Sequence, residues 1–405
     1  MNADVLVIGG GASGMTAAIK AAETGADVAI IEKKEQMGKK LLTTGNGRCN
    51  LLNSDRSPGH FHSSDPEKAC EMLDALSNKD ILDHFAGLGV LCRETEGYYY
   101  PYSNQALTVN QAFNKKIKEL GINVLTGCEA IKIEKKAKGF KVICADRVID
   151  AKTVIISAGS PAGLNIKEKY TGLGLLDGLN IKTKAFSPAL TALLSGDKCT
   201  QYWSGVRCEA LISIADRGKV LRSEKGELML APDGISGIAA YQLSHYVKDG
   251  CFCLIDFAFD RDEKELFAFF KSQSSRPLQD ILEGMFALKL AKTLCMEVCF
   301  RNAVFKGIKP YEARLDTDEK IKAAISTIKE FKVNITGLRG FGESQVAKGG
   351  ILLDETDENC MIKKCPGLFA CGEILDFAGD CGGYNLMWAW TTGIKAGTAA
   401  GRYAL

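Results

Sequence analysis

The chain is poor in the side chains that most often mark a metal or nucleophilic centre. Four histidines stand in 405 residues, and only His60 and His62 are close together. They lie in the polar stretch PGHFHSS, which reads as an exposed turn rather than a ligand set. An excess of charge of one sign is also missing. Lys and Arg number 51 against 49 Asp and Glu, a net of +2, too weak a field to call for nucleic acid or a membrane surface as a partner. No apolar run approaches the ~20 residues that a membrane-spanning helix needs. Residues 1–18 are apolar, but they lack a basic start and are broken by Gly9, Gly10, Gly11 and Gly14, unlike a secretory leader. Cysteine is plentiful, at fifteen, yet no C-x-x-C occurs, so a thiol relay is not expected. An odd, scattered set indicates free thiols in a reducing compartment, and the cytoplasm is the expected location. Cys295 and Cys299 read as small buried apolar groups on a helix.

With 46% apolar and 25% charged residues, the chain has material for a large core and two or three domains. Its first thirty-odd residues, DVLVIGGGASGMTAAIKAAETGADVAIIEKK, read as a buried strand, a glycine turn, a helix and a second strand. Gly9, Gly11 and Gly14 fit G-x-G-x-x-G. The first makes the tight turn, the second admits a pyrophosphate, and the third lets the helix pack on the strand. The helix N-terminus then faces the phosphates, a favourable placement by up to about 2 kcal/mol. Glu32 ends the second strand, where a carboxylate can accept hydrogen bonds from an adenosine ribose and disfavours a 2′-phosphate.

The next stretch, MGKKLLTTGNGRCNLLN, suits an extended dinucleotide whose second half must be wrapped. Lys40 or Arg48 would lie near phosphate, with Lys39 close by, and Asn46 or Asn50 near the far end. Further on, alternating strands with Gly139 in a hairpin turn lead to an apolar run closed by small residues, Ser157 to Ser160. GLFACGE is a third strand ending in small residues and an acid. Three such strand ends would meet at the carboxyl edge of one sheet, where open α/β sheets bind ligands. No second G-x-G-x-x-G follows, so any nicotinamide must dock transiently.

Together the motifs VIGGGASG, GKKLLTTGNGRCNLLN, EGYYYPYSNQA, KGELMLAPDGISG, AKGGILLDE and GLFACGEILDFAGDCGGYNLMWAWTTGIKAG span nearly the whole chain. On them the sequence resembles the BaiN/YhiN-like flavoproteins, a family described as 3-dehydro-bile acid reductases and aminoacetone oxidases with a glutathione-reductase-type FAD fold. The resemblance implies that Glu373 meets the ribityl or pyrophosphate part of FAD. The last helix then points the backbone N–H groups of Tyr384, Asn385 and Leu386 at the flavin pyrimidine. It also sets Arg48, Cys49 and Asn50 beside FAD and Ala130 against adenine. Ala12, Ser13, Lys33, Gly45, Ala158, Gly159, Gly372, Asp376 and Gly383 complete the expected cofactor set. Trp388 and Trp390 read as core packing. Where similar proteins carry a threonine and a histidine before GISG and a proline after it, this chain has LMLAPDGISGIAAYQLS.

The expected architecture is α/β: a Rossmann-like FAD-binding domain (1–190 and 346–405), an inserted β-rich, barrel-like domain (191–261 and 303–345) and a small helical subdomain (262–302). The expected activity is FAD-dependent hydride transfer with a hydrophobic small molecule, reduction of a C=C bond in a conjugated ketone such as a 3-oxo-bile acid, with NAD(P)H as transient donor. Tyr100, Tyr384 and His245 are the candidate proton donors. An amine or aminoketone oxidase using oxygen, and an FAD-containing RNA-binding or RNA-modifying protein, are the alternatives. Cys49 is the one thiol placed to take part in redox chemistry, with packing the simpler reading.

Overall fold

The apolar run near the N-terminus forms the strand Asn2–Ile8, with Val5, Leu6 and Val7 fully buried, as in a strand covered on both faces. It lies between Val28–Glu32 and Val148–Ile156, parallel to both; Asn123–Thr126 extends one side and Leu368–Ala370 pairs parallel with the far half of Val148–Ile156. Because these strands are parallel, Ile8, Glu32, Ile156 and Ala370 all end at one edge. The near half of Val148–Ile156 turns antiparallel to Phe140–Cys144, which pairs with Ala130–Lys135. Gly139, at φ +74°, makes the hairpin turn.

This computed structural model describes residues 1–164 and 168–405 and divides into two units, 1–188 with 345–405 and 189–344. In the first, the helix Ala12–Ala22 packs along the last helix, Tyr384–Ala404. Three glycines of the last helix set this contact. A Cβ on Gly393, Gly397 or Gly401 would stand under 3.0 Å from Ser13 O, Ala17 O or Ala21 O respectively, or from side-chain atoms beside them. Partner numbers rise together, so the helices run parallel with their N-termini toward the same end. Trp388 and Trp390 are buried behind that seam; their indole N–H groups donate to Gly372 O at 3.1 Å and to Leu51 O at 2.9 Å.

The second unit is a seven-stranded sheet running Phe331–Asn334, Phe252–Asp256, Val206–Asp216, Lys219–Ala231, Gly234–Ser236, Leu193–Leu194 and Gly337–Leu338. Its two outermost strands are joined by Ile335 and Thr336 alone, whose amides donate to Cys251 O and Leu194 O. The sheet therefore curls on itself, which blunts its edges. Helices Glu263–Ser272, Leu278–Glu283 and Leu288–Arg301 follow, the first opened by a reciprocal Asp262–Glu265 capping box. Leu278, Ile281, Leu282, Leu290 and Leu294 are buried in this unit's core. All fifteen cysteines are free thiols, and among the described residues no helix is long and apolar enough to cross a membrane.

Candidate active site

The turn after the first strand is built from backbone. A Cβ on Gly9 would strike Ser157 O, and one on Gly14 would strike Gly9 O and Ser157 Oγ. Ser157 Oγ donates to Ile8 O and Gly9 O, both at 2.9 Å, locking the two strand ends together. Nothing lies within 4 Å of where a Cβ would stand on Gly11 or Gly159. Gly11 begins the helix, and no side chain caps it, so the first-turn amides of Ala12, Ser13 and Gly14 keep their donors. Glu32 faces this turn: one carboxylate oxygen accepts from Gly10 N at 2.7 Å, the other from Lys34 N at 2.8 Å. Lys33 is half-buried beside it, and Ala130 is buried at the start of its strand.

Residues 41–50 form an irregular loop of short 3-10 turns. Asn46 and Cys49 both lie in the left-handed region, at φ 55° and 61°, beside Gly45 and Gly47. Such backbone costs roughly 1–3 kcal/mol per residue and persists where its surroundings hold it. Cys49 is buried, and desolvation pushes its thiol up to about 12. It is neutral at any physiological pH, which suits packing. The exposed Arg48 guanidinium lies 5.4 Å from the centre of the half-buried Tyr100 ring. Lys39 is exposed, while Lys40 reaches Glu373 at 2.6 Å. Glu373 also accepts from Ser160 Oγ at 2.8 Å and Ala347 N at 3.1 Å. Gly372 sits at φ +77° against Ser13. Asp376 is buried and accepts from Ser64 N at 2.9 Å, and Ala158 is half-buried between Ser157 and Gly159.

The last helix also begins without a side-chain cap, at Gly383 in the left-handed region (φ 96°). Asn385 clamps its start to the preceding turn: its side-chain oxygen accepts from Gly379 N and its amide donates to Gly379 O, both at 2.8 Å. Leu386 is half-buried one residue on. Asn50 faces Gly383, and its Oδ1 is buried with no hydrogen-bond partner, a state that a bound donor relieves. Tyr384 is buried; desolvation, then the charges of Asp55 and Asp380, raise its phenol above the usual range.

His60 and His62 do not form an exposed turn. The short strand Phe61–His62 pairs with Ala378–Gly379, and this brings both rings onto the buried Asp380. His60 Nδ1 lies 3.0 Å from Asp380 Oδ2, and His62 Nε2 lies 2.8 Å from Asp380 Oδ1. His60 Nε2 is 3.1 Å from Asp55, and the His60 ring stacks on Tyr384 at 4.7 Å. Composition hid this group. The available signal was the H-x-H spacing alone, because His60 ends a 3-10 turn and only Phe61 and His62 form the strand. His245 belongs to the other unit, buried in the turn Ser244–Tyr246.

The residues present fit FAD: an uncapped helix end for the pyrophosphate, an acid at the ribose position, and a second uncapped helix end beside the unsatisfied Asn50. The last helix begins nine residues before Gly393, which lies against Ser13, so its start stands about 13 Å past that of the first helix at 1.5 Å per residue. Fold and site together define a flavin-type dinucleotide-binding oxidoreductase. Residues 3–399 match the model described as HI0933-like protein Rossmann domain, and the chain belongs to that family. It is 32% identical to the 3-dehydro-bile acid delta(4,6)-reductase of Clostridium scindens, over 97% of this chain and 98% of that one. It is 27% identical to the ribosomal RNA dihydrouridine synthase of Escherichia coli, over 96% of each. A flavocytochrome c3 fumarate reductase in its open conformation shares the fold, at a TM-score of 0.51 and 14% identity over all of this chain and 79% of that one. The protein is an FAD-dependent oxidoreductase.

Proposed function

We propose that the protein reduces a carbon–carbon double bond conjugated to a carbonyl in a hydrophobic small molecule of the 3-oxo-bile-acid kind, with NAD(P)H docking transiently as donor. The observation that carries this reading is the start of the last helix. Its uncapped amides and positive dipole end supply potential where a reduced flavin gathers negative charge. Bound FAD supplies the two-electron transfer between donor and substrate. The turn from Gly9 to Gly14 and the amides of Ala12 and Ser13 hold the pyrophosphate, and Glu32 takes the ribose. Tyr384 opens the last helix and Tyr98 lies against the same turn at Gly382, while Tyr100 lies by Arg48. Tyr384, with its phenol raised, keeps its proton at neutral pH and serves better as a hydrogen-bond donor to a carbonyl than as an acid. The curated likeness over nearly the whole chain supports the substrate class.

A second reading is favoured by the 27% identity to a ribosomal RNA dihydrouridine synthase: the C5=C6 bond of uracil is also conjugated to a carbonyl. The near-neutral charge of the chain weighs against an RNA substrate. Anaerobic stopped-flow separates the two. Reduced protein mixed with 3-oxo-4-cholenoic acid is expected to recover its 450 nm absorbance, and bulk ribosomal RNA is not. Recovery with RNA alone reverses the assignment; recovery with neither, and peroxide release with aminoacetone, replaces it with the oxidase.

A further inference from the structure

We propose that Arg93 and Arg48 form a clamp for the carboxylate at the far end of the substrate, with Tyr98, Tyr100 and Tyr102 as the platform beneath its rings. This deepens the reading above and rests on it. A 3-oxo-bile acid carries its enone at one end and a carboxylate at the other, so a site that recognises it needs a cation set at a distance from the flavin.

The platform follows from strand register. Tyr98–Pro101 runs antiparallel to Cys92–Thr95, with Arg93 opposite Tyr100 and Thr95 opposite Tyr98. Directly paired residues share a face, as do residues two apart on one strand, so Arg93, Tyr98 and Tyr100 lie on the same side. Tyr99 and Glu94 pair on the other side, where the Tyr99 hydroxyl donates to Glu94 at 3.1 Å. The Arg93 guanidinium stands 5.6 Å from the centre of the Tyr102 ring, and that of Arg48 stands 5.4 Å from the centre of the Tyr100 ring. Two cations therefore flank successive rings of one run.

Neither guanidinium is neutralised. Both arginines are exposed; Arg48 Nε reaches the backbone alone, Gly45 O at 3.4 Å, and among the described residues neither has a carboxylate partner. Stacking on a phenol ring steadies a guanidinium and leaves its N–H edge open to the two oxygens of a carboxylate. Tyr98 and Tyr102 are themselves exposed, offering aromatic faces on which fused rings can lie. The run also has a direction. Tyr98 lies against the turn that opens the last helix, because a Cβ on Gly382 would stand 3.2 Å from its ring. The platform thus begins where the resemblance places the flavin ring and ends at Arg93, four residues or about 13 Å further along extended chain. A ligand with its double bond at the helix start has its opposite end at the arginines.

The test uses FAD-loaded protein and two ligands that differ in one charge, 3-oxo-4-cholenoic acid and its methyl ester. Titration of the oxidised protein, followed by the shift in flavin absorbance, reads binding without turnover. The acid is expected to bind about 10–100-fold more tightly than the ester, by a margin that shrinks as salt rises. Arg93→Gln is expected to weaken the acid by about 10-fold, at the low end for an exposed cation, and to leave the ester and the FAD content unchanged. Arg93→Lys, which keeps the charge without the fork, falls between. Equal affinity for acid and ester, binding of neither, or an acid affinity unaltered in both Arg93→Gln and Arg48→Gln overturns the proposal. So does slower flavin reduction by NADPH in Arg93→Gln with acid binding intact, which assigns the clamp to the donor's phosphates. Dithionite-reduced protein tests the underlying reading separately. If no enone reoxidises it while the preference for acid holds in the wild type and is lost in Arg93→Gln, the reduction reading has failed and the clamp stands.

Discussion

The two helix starts of the FAD-binding unit have the same backbone and opposite company. Each begins at a glycine, Gly11 or Gly383, and neither has a side-chain cap. Around the first stand main-chain atoms: the strand ends, Ser157, and a single glutamate whose oxygens take two amides. Around the second stand titratable side chains: Tyr384, His60 and His62 on Asp380. The first end can grip a charge that never changes. The second is equipped to answer one that does. A site built of backbone donors needs only shape and a dipole, whereas one whose ligand gains and loses charge also needs protons.

The comparison breaks most severely at the packing that holds the first end. Gly14→Val drives a side chain into Gly9 O, where even a Cβ has no room. The purified protein is expected to be colourless and destabilised by about 1–3 kcal/mol or more, read by 450 nm absorbance and a denaturant melt; a yellow, stable variant removes the first end from the site. Next comes the acid. Glu32→Gln weakens the bonds to Gly10 and Lys34 and the expected ribose contact, so FAD affinity should fall by about 10–100-fold, or 1.5–3 kcal/mol, measured by flavin fluorescence on titration. At neutral pH the smallest effect is at a histidine outside both ends. His84 is buried among Phe85 and Phe113, and desolvation pushes it down to about 3. Its unfolded form binds a proton that its folded form refuses, so stability is lost as pH falls from about 6.5 toward 3. His84→Phe should flatten that slope in melts across the window, and an unaltered slope would move the acid sensitivity elsewhere.

The same contrast explains what was legible beforehand. The first end is written in consecutive residues, because a turn, a helix start and a strand end are local and glycine spacing encodes them. The parallel sheet, the Gly139 hairpin, the buried tryptophans and the helical subdomain at 262–302 were readable for that reason: each depends on a period or a turn. The second end was half legible. The thin backbone of GDCGGYN announced a helix start, but Asp55, His60 and Asp380 lie up to 325 residues apart, and nothing within either segment announces the other. Pairing of two-residue strands brings them together, and strands that short leave no alternation to detect. The seam Gly393, Gly397, Gly401 emerged only from the fold, because a four-residue glycine spacing does not name the helix it packs against.

That seam acts as a ruler. It ties the last helix to the first one residue against another, so the chain from Gly383 to Gly393 has a length that cannot drift. One residue inserted there would turn the helix mouth by about 100° and advance it by about 1.5 Å, leaving every glycine in place and swinging Asn385, and with it the Asp380 turn, away from whatever the first mouth holds. An insertion within the ten residues from Gly383 to Gly393 is therefore expected to cost far more than one of the same length in a loop that the seam does not gauge.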